Sequence, residues 1–306
     1  MTLALELTRQ HGGDWRGDVG FIPSPGHSKR DRGTVLRDRA DGRGVLVYSF
    51  NADWRSVRDA LGLTADAVRP MTPRELRALR QQMSRERAER EGRQLARCTD
   101  LYEQAVPPEP GGTVRTYLAT RGLPAPVVAQ AVNAGSLREH HDDRGRVSMM
   151  AIAHNRNGVV RGVQLTKLAP DGRTKRGTDC DRLTFGPYKG SACRLFKPAG
   201  DTLAVAEGVE TALAFASLRK VPCWATFGTR NLEAFDPPTG IRTVIIAADG
   251  DRATKPGDFK GLDAADALFD RLRQRCRAII AAAPLPTGCQ VHLTSDRATL
   301  EPFGID

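Results

Sequence analysis

Two apolar runs in the C-terminal third of the chain each end at an acidic residue. The first run ends at Glu207, where Gly208 permits a tight turn and an alanine-rich stretch with helical spacing follows. The second run, residues 241–248, is rich in β-branched side chains and leads to Asp249 and Asp251. Continuous runs of this kind are typical of parallel strands buried on both faces. The pattern therefore predicts an α/β domain with a parallel, doubly wound sheet, whose chemistry lies at the carboxyl ends of its strands.

The first hundred residues have a different pattern. Residues 45–50 have the composition of a short strand within a turn-rich, β-rich segment, and residues 53–63 have the spacing of a helix. From 72 to 103 arginine and glutamate alternate, which predicts a long solvated helix supported by pairs four residues apart. Thr72 and Glu75 form a capping box at its start. We expect this helix to separate two domains.

The middle of the chain has the pattern of a mixed α+β subdomain. A helical pair is centred on residues 114–123, and strands at 146–153 and 159–168 are joined by a turn. The sequence thus predicts four regions, which are a β-rich module (1–66), a charged helix and linker (67–112), an α+β subdomain (113–199) and an α/β domain (200–306).

Glu207, Asp249 and Asp251 are predicted to converge at one edge of the sheet. Like charges within a few ångströms raise one another's pKa, commonly by about a unit or more. A bound Mg²⁺ relieves this repulsion, because it prefers oxygen ligands and typically takes one or two carboxylates plus substrate phosphates. The sequence therefore predicts catalytic and metal-binding roles for all three carboxylates, with Mg²⁺ or Mn²⁺ as the ion. The alternative is a solvated Asp-Gly-Asp turn after a core strand.

Length and composition limit the class of protein. The 306 residues suffice for two or three domains with an ample core. No apolar run reaches the length of a membrane span, and the first ten residues lack a signal-peptide pattern, so we expect a soluble, cytoplasmic protein. The six cysteines are scattered without a C-x-x-C pair, which favours reduced thiols over a disulfide framework.

The net charge of +10 is concentrated ahead of the α/β domain. Residues 1–200 carry 34 Lys/Arg against 22 Asp/Glu, whereas residues 201–284 carry 11 of each. A basic flank beside an acidic metal site suits a polyanion such as single-stranded DNA, whose phosphates gain affinity by counterion release. The excess of arginine, 38 against 8 lysines, leaves a purely compositional explanation open.

The Glu207-Gly-Val-Glu-Thr motif, followed by Asp249-Gly-Asp251, resembles the Toprim domain of DnaG-type primases, type IA and type II topoisomerases and some nucleases. This version is most similar to primase-like Toprim proteins of bacterial plasmids, phages and integrated elements. The resemblance covers roughly residues 200–290. It implies acid–base or metal chemistry at Glu207 and Mg²⁺ binding by Asp249 and Asp251.

Residues 146–175 are similar to the N-terminal subdomain of the DnaG-type catalytic core. In that family a basic residue after the second strand faces the metal site and contacts nucleotide or template phosphates. Lys167 is the nearest match and Lys175 the next, and Arg146 and Arg161 are further candidates for nucleotide or nucleic-acid binding. The resemblance implies nucleoside triphosphates and single-stranded DNA as partners, with a separate replicative helicase as a further possibility.

Residues 20–63 resemble the N-terminal zinc-ribbon module of phage and plasmid primases. Ile22 and Ser49 stand where that module has cysteines, which leaves His27 as a lone candidate ligand. Because four-coordinate zinc is out of reach, we expect a degenerate module without structural zinc. A small apolar cluster is expected instead, formed by Phe21, Ile22, Val45, Val47, Phe50 and Trp54.

Related Toprim proteins usually end with a further acidic motif, which residues 279–292 lack. Asp258, Asp263 and Asp266 are candidate substitutes, although the helical spacing predicts surface positions for the last two. The first hypothesis is a primase-like nucleotidyltransferase in the replication of a mobile element. A Toprim nuclease, which uses water as the nucleophile, and a nucleic-acid-binding replication accessory protein with a decayed site are the alternatives.

Overall fold

The computed structural model describes residues 2–198, 200–248, 260–273 and 277–282. Its contacts divide the chain into two compact units, residues 1–89 and residues 90–306. Each unit has hydrophobic clusters of its own. None of the helices in the described ranges is long and apolar enough to cross a membrane.

Within the described residues, the first unit is a five-stranded sheet with helices on both faces. The strands follow chain order across the sheet, and neighbours are antiparallel except for the parallel last pair. Its elements are α1 (Leu3–Gln10), β1 (Asp14–Arg16), β2 (Val19–Ile22), β3 (Thr34–Asp38), β4 (Val45–Ser49), α2 (Trp54–Ala60), a 3₁₀ turn (Ala65–Ala67), β5 (Val68–Pro70) and the first part of α3 (Pro73–Gln104).

Strand alternation divides the apolar side chains of this unit between two clusters. Val45 and Val47 are buried on the face covered by α1 and α2, together with Ile22 and the partly buried Trp54. Leu46, between the two valines, is buried on the opposite face, which α3 covers. The predicted apolar cluster around Ile22 is therefore confirmed for these members.

Phe21 and Phe50 do not belong to that cluster, contrary to the sequence-based expectation. Phe21 neighbours Ile22 in β2, so its side chain points to the other face of the sheet, where it packs near Val35. Phe50 lies beyond the end of β4 and is 65% exposed, with its ring edge-on to Tyr48 at 4.8 Å.

The surroundings of Ser49 do not fit a zinc ion. Thr34 Oγ1 lies 2.9 Å from Ser49 Oγ and 3.1 Å from Ser24 Oγ, so three hydroxyl groups satisfy one another. His27 is exposed, and Ile22 is buried among apolar side chains. Neutral hydroxyls are not the thiolate or imidazole donors of structural zinc.

Helix α3 confirms the predicted charged helix. Its capping box is formed, because Thr72 N–H donates to Glu75 Oε2 at 2.8 Å and Glu75 N–H donates to Thr72 Oγ1 at 3.3 Å. Most of its side chains are exposed. In the second unit, Cys98 of this helix is buried in a cluster with Met150 and Ile152.

The second unit continues from α3 with an α/β arrangement. Its further elements are α4 (Thr113–Thr120), α5 (Ala125–Asn133), β6 (Leu137–His141), β7 (Val147–His154), β8 (Val160–Lys167), β9 (Arg182–Phe185), β10 (Ala192–Cys193), β11 (Thr202–Ala206), α6 (Val209–Arg219), β12 (Cys223–Ala225), α7 (Thr229–Ala234), β13 (Thr243–Ala248), α8 (Lys260–Leu272) and β14 (Arg277–Ala282).

One mixed sheet runs through this unit. In the described part of the chain its order is β14-β13-β11-β12-β10-β7-β8-β9, with β6 paired to β7. The strands β14, β13, β11 and β12 are mutually parallel, and the rest of the sheet is antiparallel.

Alternation along β11 explains why helices cover both faces. Ala204 and Ala206 belong to the cluster that contains α4, α5 and α6, whereas Leu203 and Val205 belong to the cluster that contains α7 and α8. The α/β class and the doubly wound parallel portion predicted from the sequence are confirmed.

We predict that the first unit is held by its apolar cluster and not by a metal. Trp54→Ala should lower the free energy of unfolding by about 1–3 kcal/mol, less than a fully buried tryptophan would, because Trp54 is partly buried. The exposed Phe50→Ala should change it by less than about 0.5 kcal/mol. Urea unfolding gives both values.

The same account expects no stoichiometric zinc and a melting temperature that does not respond to chelators. Elemental analysis that finds one zinc per chain would contradict it.

Candidate functional site

Glu207 lies at the carboxyl end of an inner strand. It follows β11 directly, and Gly208 is the N-cap of α6. The neighbours of β11 on both sides, β12 and β13, run parallel to it. The Glu207 carbonyl accepts hydrogen bonds from the backbone N–H groups of Phe227 at 2.9 Å and Gly228 at 3.3 Å, in the loop after β12. The predicted strand-end position of this half-buried acid is confirmed.

Asp249 and Asp251 lie outside the described residues, so the convergence of the three carboxylates stays a prediction. The register brings the strands together, because Ala247 of β13 pairs with Ala206 of β11. Asp249 comes two residues after Ala247 in the sequence. Among the residues that the structure describes, no group of three His, Cys, Asp or Glu side chains is placed to hold a metal ion.

Two of the three candidate substitutes for the final acidic motif lie within the described residues. Asp263 and Asp266 are exposed on α8, as the helical spacing predicts. Asp258 and residues 283–306 lie outside the described ranges.

A buried charge lies one helical turn beyond Glu207. Glu210, in the first turn of α6, is 9% exposed. Tyr117 Oη donates to Glu210 Oε1 at 2.7 Å, and Arg182 donates to Oε1 at 3.0 Å and to Oε2 at 3.1 Å. Lys175 Nζ lies 3.9 Å from Oε1. Two cations and a hydroxyl therefore compensate the carboxylate, as a charge withdrawn from water requires.

The groups around Glu210 come from the part of the second unit that precedes β11. Tyr117 is on α4, Arg182 begins β9, and Lys175 lies in the connection between β8 and β9. Both cations remain accessible, because the Arg182 side chain is 43% exposed and that of Lys175 is 32% exposed. Glu210 thus anchors two cations that can still reach a ligand.

Burial and the neighbouring charges shift the pKa values of Glu210 and Lys175. Burial by itself raises the pKa of Glu210, but the Arg182 charge and the Tyr117 hydrogen bond outweigh it, so the pKa lies below its ordinary value of 4.5. Burial lowers the pKa of Lys175, and the nearby Arg182 lowers it further.

Arg182 also responds to the acid at the strand end. Burial acts to lower the pKa of Arg182, but Glu210 and, more weakly, Glu207 raise it above its ordinary value. The carboxylates of Glu207 and Glu210 therefore both favour the charged form of this one guanidinium.

Of the four basic residues proposed from the sequence, the structure brings Lys175 to Glu210. Lys167 ends β8, and its backbone N–H donates to the carbonyl of Asp181 at 2.8 Å.

The two proposed arginines are held elsewhere. Arg146 Nε donates to Asp142 at 2.7 Å in the turn between β6 and β7. Arg161, at the opposite end of β8 from Lys167, is paired with Glu91 of α3 at 3.3 Å.

Tyr117, Arg182 and Glu210 have no role predicted from the sequence. One signal was present, because Glu210 is a charged residue within an otherwise alanine-rich, apolar helix. Its hydrogen-bonding partner Tyr117 is 93 positions away, so no local pattern connects them.

We predict that Tyr117→Phe lowers the free energy of unfolding by about 1.5–3 kcal/mol, because it removes a hydrogen bond to a buried carboxylate. The control Tyr102→Phe should have little effect, since Tyr102 is 37% exposed. The depressed pKa of Glu210 contributes stability that is full above the ordinary value of 4.5 and is lost as the pH falls through the lowered pKa.

The Tyr117→Phe penalty should therefore be constant in urea unfolding at neutral pH and shrink on acidification below that ordinary value. Equal effects of the two tyrosine substitutions at neutral pH would contradict the prediction.

Residues 202–290 match the Toprim domain family, and residues 92–195 match a domain of unknown function (DUF7146). Glu207 and Glu210 lie in the first match, whereas Tyr117, Lys175 and Arg182 lie in the second. No curated protein matches the chain.

Several solved structures of primases are similar to this chain. The primase fragment of the bacteriophage T7 primase-helicase is 16% identical with a TM-score of 0.40, over 55% of this chain and 64% of that one. The DnaG primase catalytic domain bound to single-stranded DNA is 17% identical with a TM-score of 0.37, over 66% and 75%. The zinc-binding and RNA polymerase domains of Aquifex aeolicus primase are 12% identical with a TM-score of 0.37, over 99% and 83%.

The chain therefore spans just under two thirds of the T7 primase fragment that it matches. The family match carries the assignment that follows: residues 202–290 of this chain are a Toprim domain.

Proposed function

We propose that this chain is a primase-like, Mg²⁺-dependent nucleotidyltransferase that acts on single-stranded DNA in the replication of a bacterial plasmid, phage or integrated element. The observation that supports the proposal is that Glu210, three residues after the strand-end acid Glu207, holds two accessible cations, Arg182 and Lys175. A metal ion held at this strand end and the two nearby cations would together neutralise the negative charge of a bound triphosphate. The assignment to a mobile element rests on the resemblance of the Glu207-Gly-Val-Glu motif.

Arg182 has donors left for phosphate oxygens. Its hydrogen bonds to Glu210 use a single terminal nitrogen, whereas a guanidinium carries five N–H donors on three nitrogens. The Glu210 carboxylate binds one terminal nitrogen of Arg182 and so fixes the direction of the remaining N–H groups. This preorganisation favours binding of a phosphate through two hydrogen bonds.

The residues of the site have distinct proposed roles. Glu207, Asp249 and Asp251 would hold the metal ion, since carboxylate oxygens are the donors that Mg²⁺ prefers. When bound, the ion supplies charge neutralisation to the triphosphate. Glu207 also assists removal of the proton from the attacking 3′-hydroxyl. The 3′-oxygen then forms a bond to the α-phosphorus as the bond to pyrophosphate breaks, and Arg182 and Lys175 stabilise the departing charge.

The DNA strand is proposed to bind to the basic residues of positions 1–200, which hold the charge excess. Lys167 is the proposed contact nearest to the family pattern. Arg146 and Arg161 already pair with acids, so each is expected to contribute less than an unpaired cation. A separate replicative helicase remains a proposed partner.

We predict that the purified chain joins two nucleotides on a single-stranded template in the presence of Mg²⁺ or Mn²⁺. Asp249→Asn and Glu207→Gln should each lower the rate by roughly a hundred-fold or more. Asp270→Asn is the matched control, because Asp270 is an exposed carboxylate on α8. Cleavage of the template without synthesis would assign a nuclease instead, and binding without either reaction would assign an accessory protein.

A second prediction distinguishes a role of Arg182 in binding the triphosphate from its role in stabilising the Glu210 cluster. Arg182→Gln should raise the triphosphate KM by about ten-fold or more, because it removes a charge-assisted contact. Tyr117→Phe weakens the same cluster but keeps both cations, so its KM should stay close to that of the wild type. Equal KM values for Arg182→Gln and the wild type would contradict the role of Arg182.

A further inference from the structure

An open groove lies beside the loop that binds the Glu207 carbonyl. One wall is formed by the connection after β9, including Tyr188 and Lys189, and the other by Phe227, Gly228 and Arg230 after β12. Arg271 of α8 also lines it. Its volume of about 1110 Å³ slightly exceeds the roughly 300–1,000 Å³ of small-molecule pockets. An open groove of this size suits a chain that passes through it better than an enclosed small ligand.

The two walls are fixed to each other by a buried side chain. Asn231 is 6% exposed, and its Oδ1 accepts from the backbone N–H of Gly190 at 2.7 Å. Its Nδ2 donates to the carbonyl of Ser191 at 2.8 Å and also to the carbonyl of Thr226. The groove is therefore preformed, with little entropy to lose when a ligand binds.

The backbone of Phe227 is held in an unfavourable conformation at the end of the groove nearest Glu207. Its φ of 68° lies in the left-handed region, which bulky residues rarely adopt. The hydrogen bond from its N–H to the Glu207 carbonyl, at 2.9 Å, helps to maintain it. Conformations of this kind cluster at ligand-binding sites. Here it joins the groove to the strand end that carries Glu207.

The chemistry of the lining combines cations with an aromatic surface. Lys189 and Arg230 are exposed, and neither forms an ion pair with a residue in the described ranges. Arg271 donates to the backbone carbonyls of Glu233 and Phe235, and the exposed carboxylate of Glu233 also lines the groove. The rings of Tyr188 and Phe227 lie 6.3 Å apart, and Tyr188 is the more exposed of the two.

We propose that this groove binds a segment of single-stranded nucleic acid and leads it to the Glu207 end of β11. Lys189 and Arg230 contact backbone phosphates, and Tyr188 offers a face on which a base stacks, a combination typical of single-strand binding without sequence preference. The positive charge at the groove is a local feature, because residues 201–284 as a whole carry equal numbers of basic and acidic residues. The inference deepens the proposed function, on which it rests for the class of substrate.

The test measures binding of a fluorescently labelled single-stranded DNA to the full chain, in chelator and without nucleotide. The double variant Lys189→Glu/Arg230→Glu should weaken binding by about ten-fold or more and lower the log–log salt slope by about 1.4, for two lost phosphate contacts. The control Lys220→Glu/Arg242→Glu makes the same change of charge at two exposed positions that lie outside residues 1–200 and do not line the groove. Its salt slope should stay near that of the wild type.

Tyr188→Leu tests the stacking contact separately. It should weaken binding by roughly five-fold or more while the salt slope is unchanged, because a base contact and no phosphate contact is lost. Thermal melting of each variant verifies that it folds.

The outcomes distinguish this inference from the proposed function. If the groove variants lose DNA affinity although the chain makes no dinucleotide, the groove assignment stands and the polymerase proposal fails. Equal affinity and salt slope for groove and control variants would overturn the groove, whatever the activity. A change in ATP binding without a change in DNA binding would also overturn it and assign a nucleotide subsite.

Discussion

Glu210 is only 9% exposed, so its carboxylate has lost most of its hydration. Contacts with Arg182, Tyr117 and Lys175 take the place of the lost water. None of these groups can be removed cheaply, because each would leave part of a buried charge uncompensated. The interaction therefore constrains more than its own stability. It holds α4, the β8–β9 connection and β9 against the first turn of α6, one turn from the acid at the end of β11.

This constraint joins the two matched segments at the point where chemistry is proposed. The Toprim domain supplies Glu207 and Glu210, and the segment of unknown function supplies the cations. The charges of Glu210 and, more weakly, Glu207 both raise the pKa of Arg182, so the guanidinium that stabilises the buried Glu210 also responds to the acid at the strand end. The exposed part of the Arg182 side chain is the part that a bound triphosphate would contact. Phe227, which lines the groove, donates its backbone N–H to the carbonyl of Glu207, so the proposed DNA-binding groove lies next to the proposed nucleotide site.

The sequence predicted the parts of this arrangement that depend on local patterns. The apolar run before Glu207 and the β-branched run before Asp249 predicted β11 and β13, and the alternating charges predicted α3 with its capping box. Phe21 and Phe50 were wrongly placed, because apolar character alone does not say which face of a strand a side chain occupies or where the strand ends.

The Glu210 cluster could not be predicted, because it depends on contacts between residues far apart in the chain. Tyr117 and Glu210 are separated by 93 positions, and Arg182 and Glu210 by 28. Neither spacing corresponds to a helix or strand period. The choice of Lys175 from family resemblance agrees with the geometry, whereas Arg146 and Arg161 are paired with acids of their own. The similarity did not indicate which of these basic side chains pair with acids, and their role in binding stays a prediction.

The central claim is that Glu207 and the cations held by Glu210 form one site for a metal-bound triphosphate. A crystal structure of the full chain with Mn²⁺ and a non-hydrolysable nucleoside triphosphate tests it most directly. The account predicts an anomalous Mn²⁺ peak at coordination distance from Glu207, with phosphate oxygens hydrogen-bonded to Arg182 and Lys175 while Arg182 stays in contact with Glu210. A triphosphate bound away from both cations, or Mn²⁺ coordinated without Glu207, would contradict it.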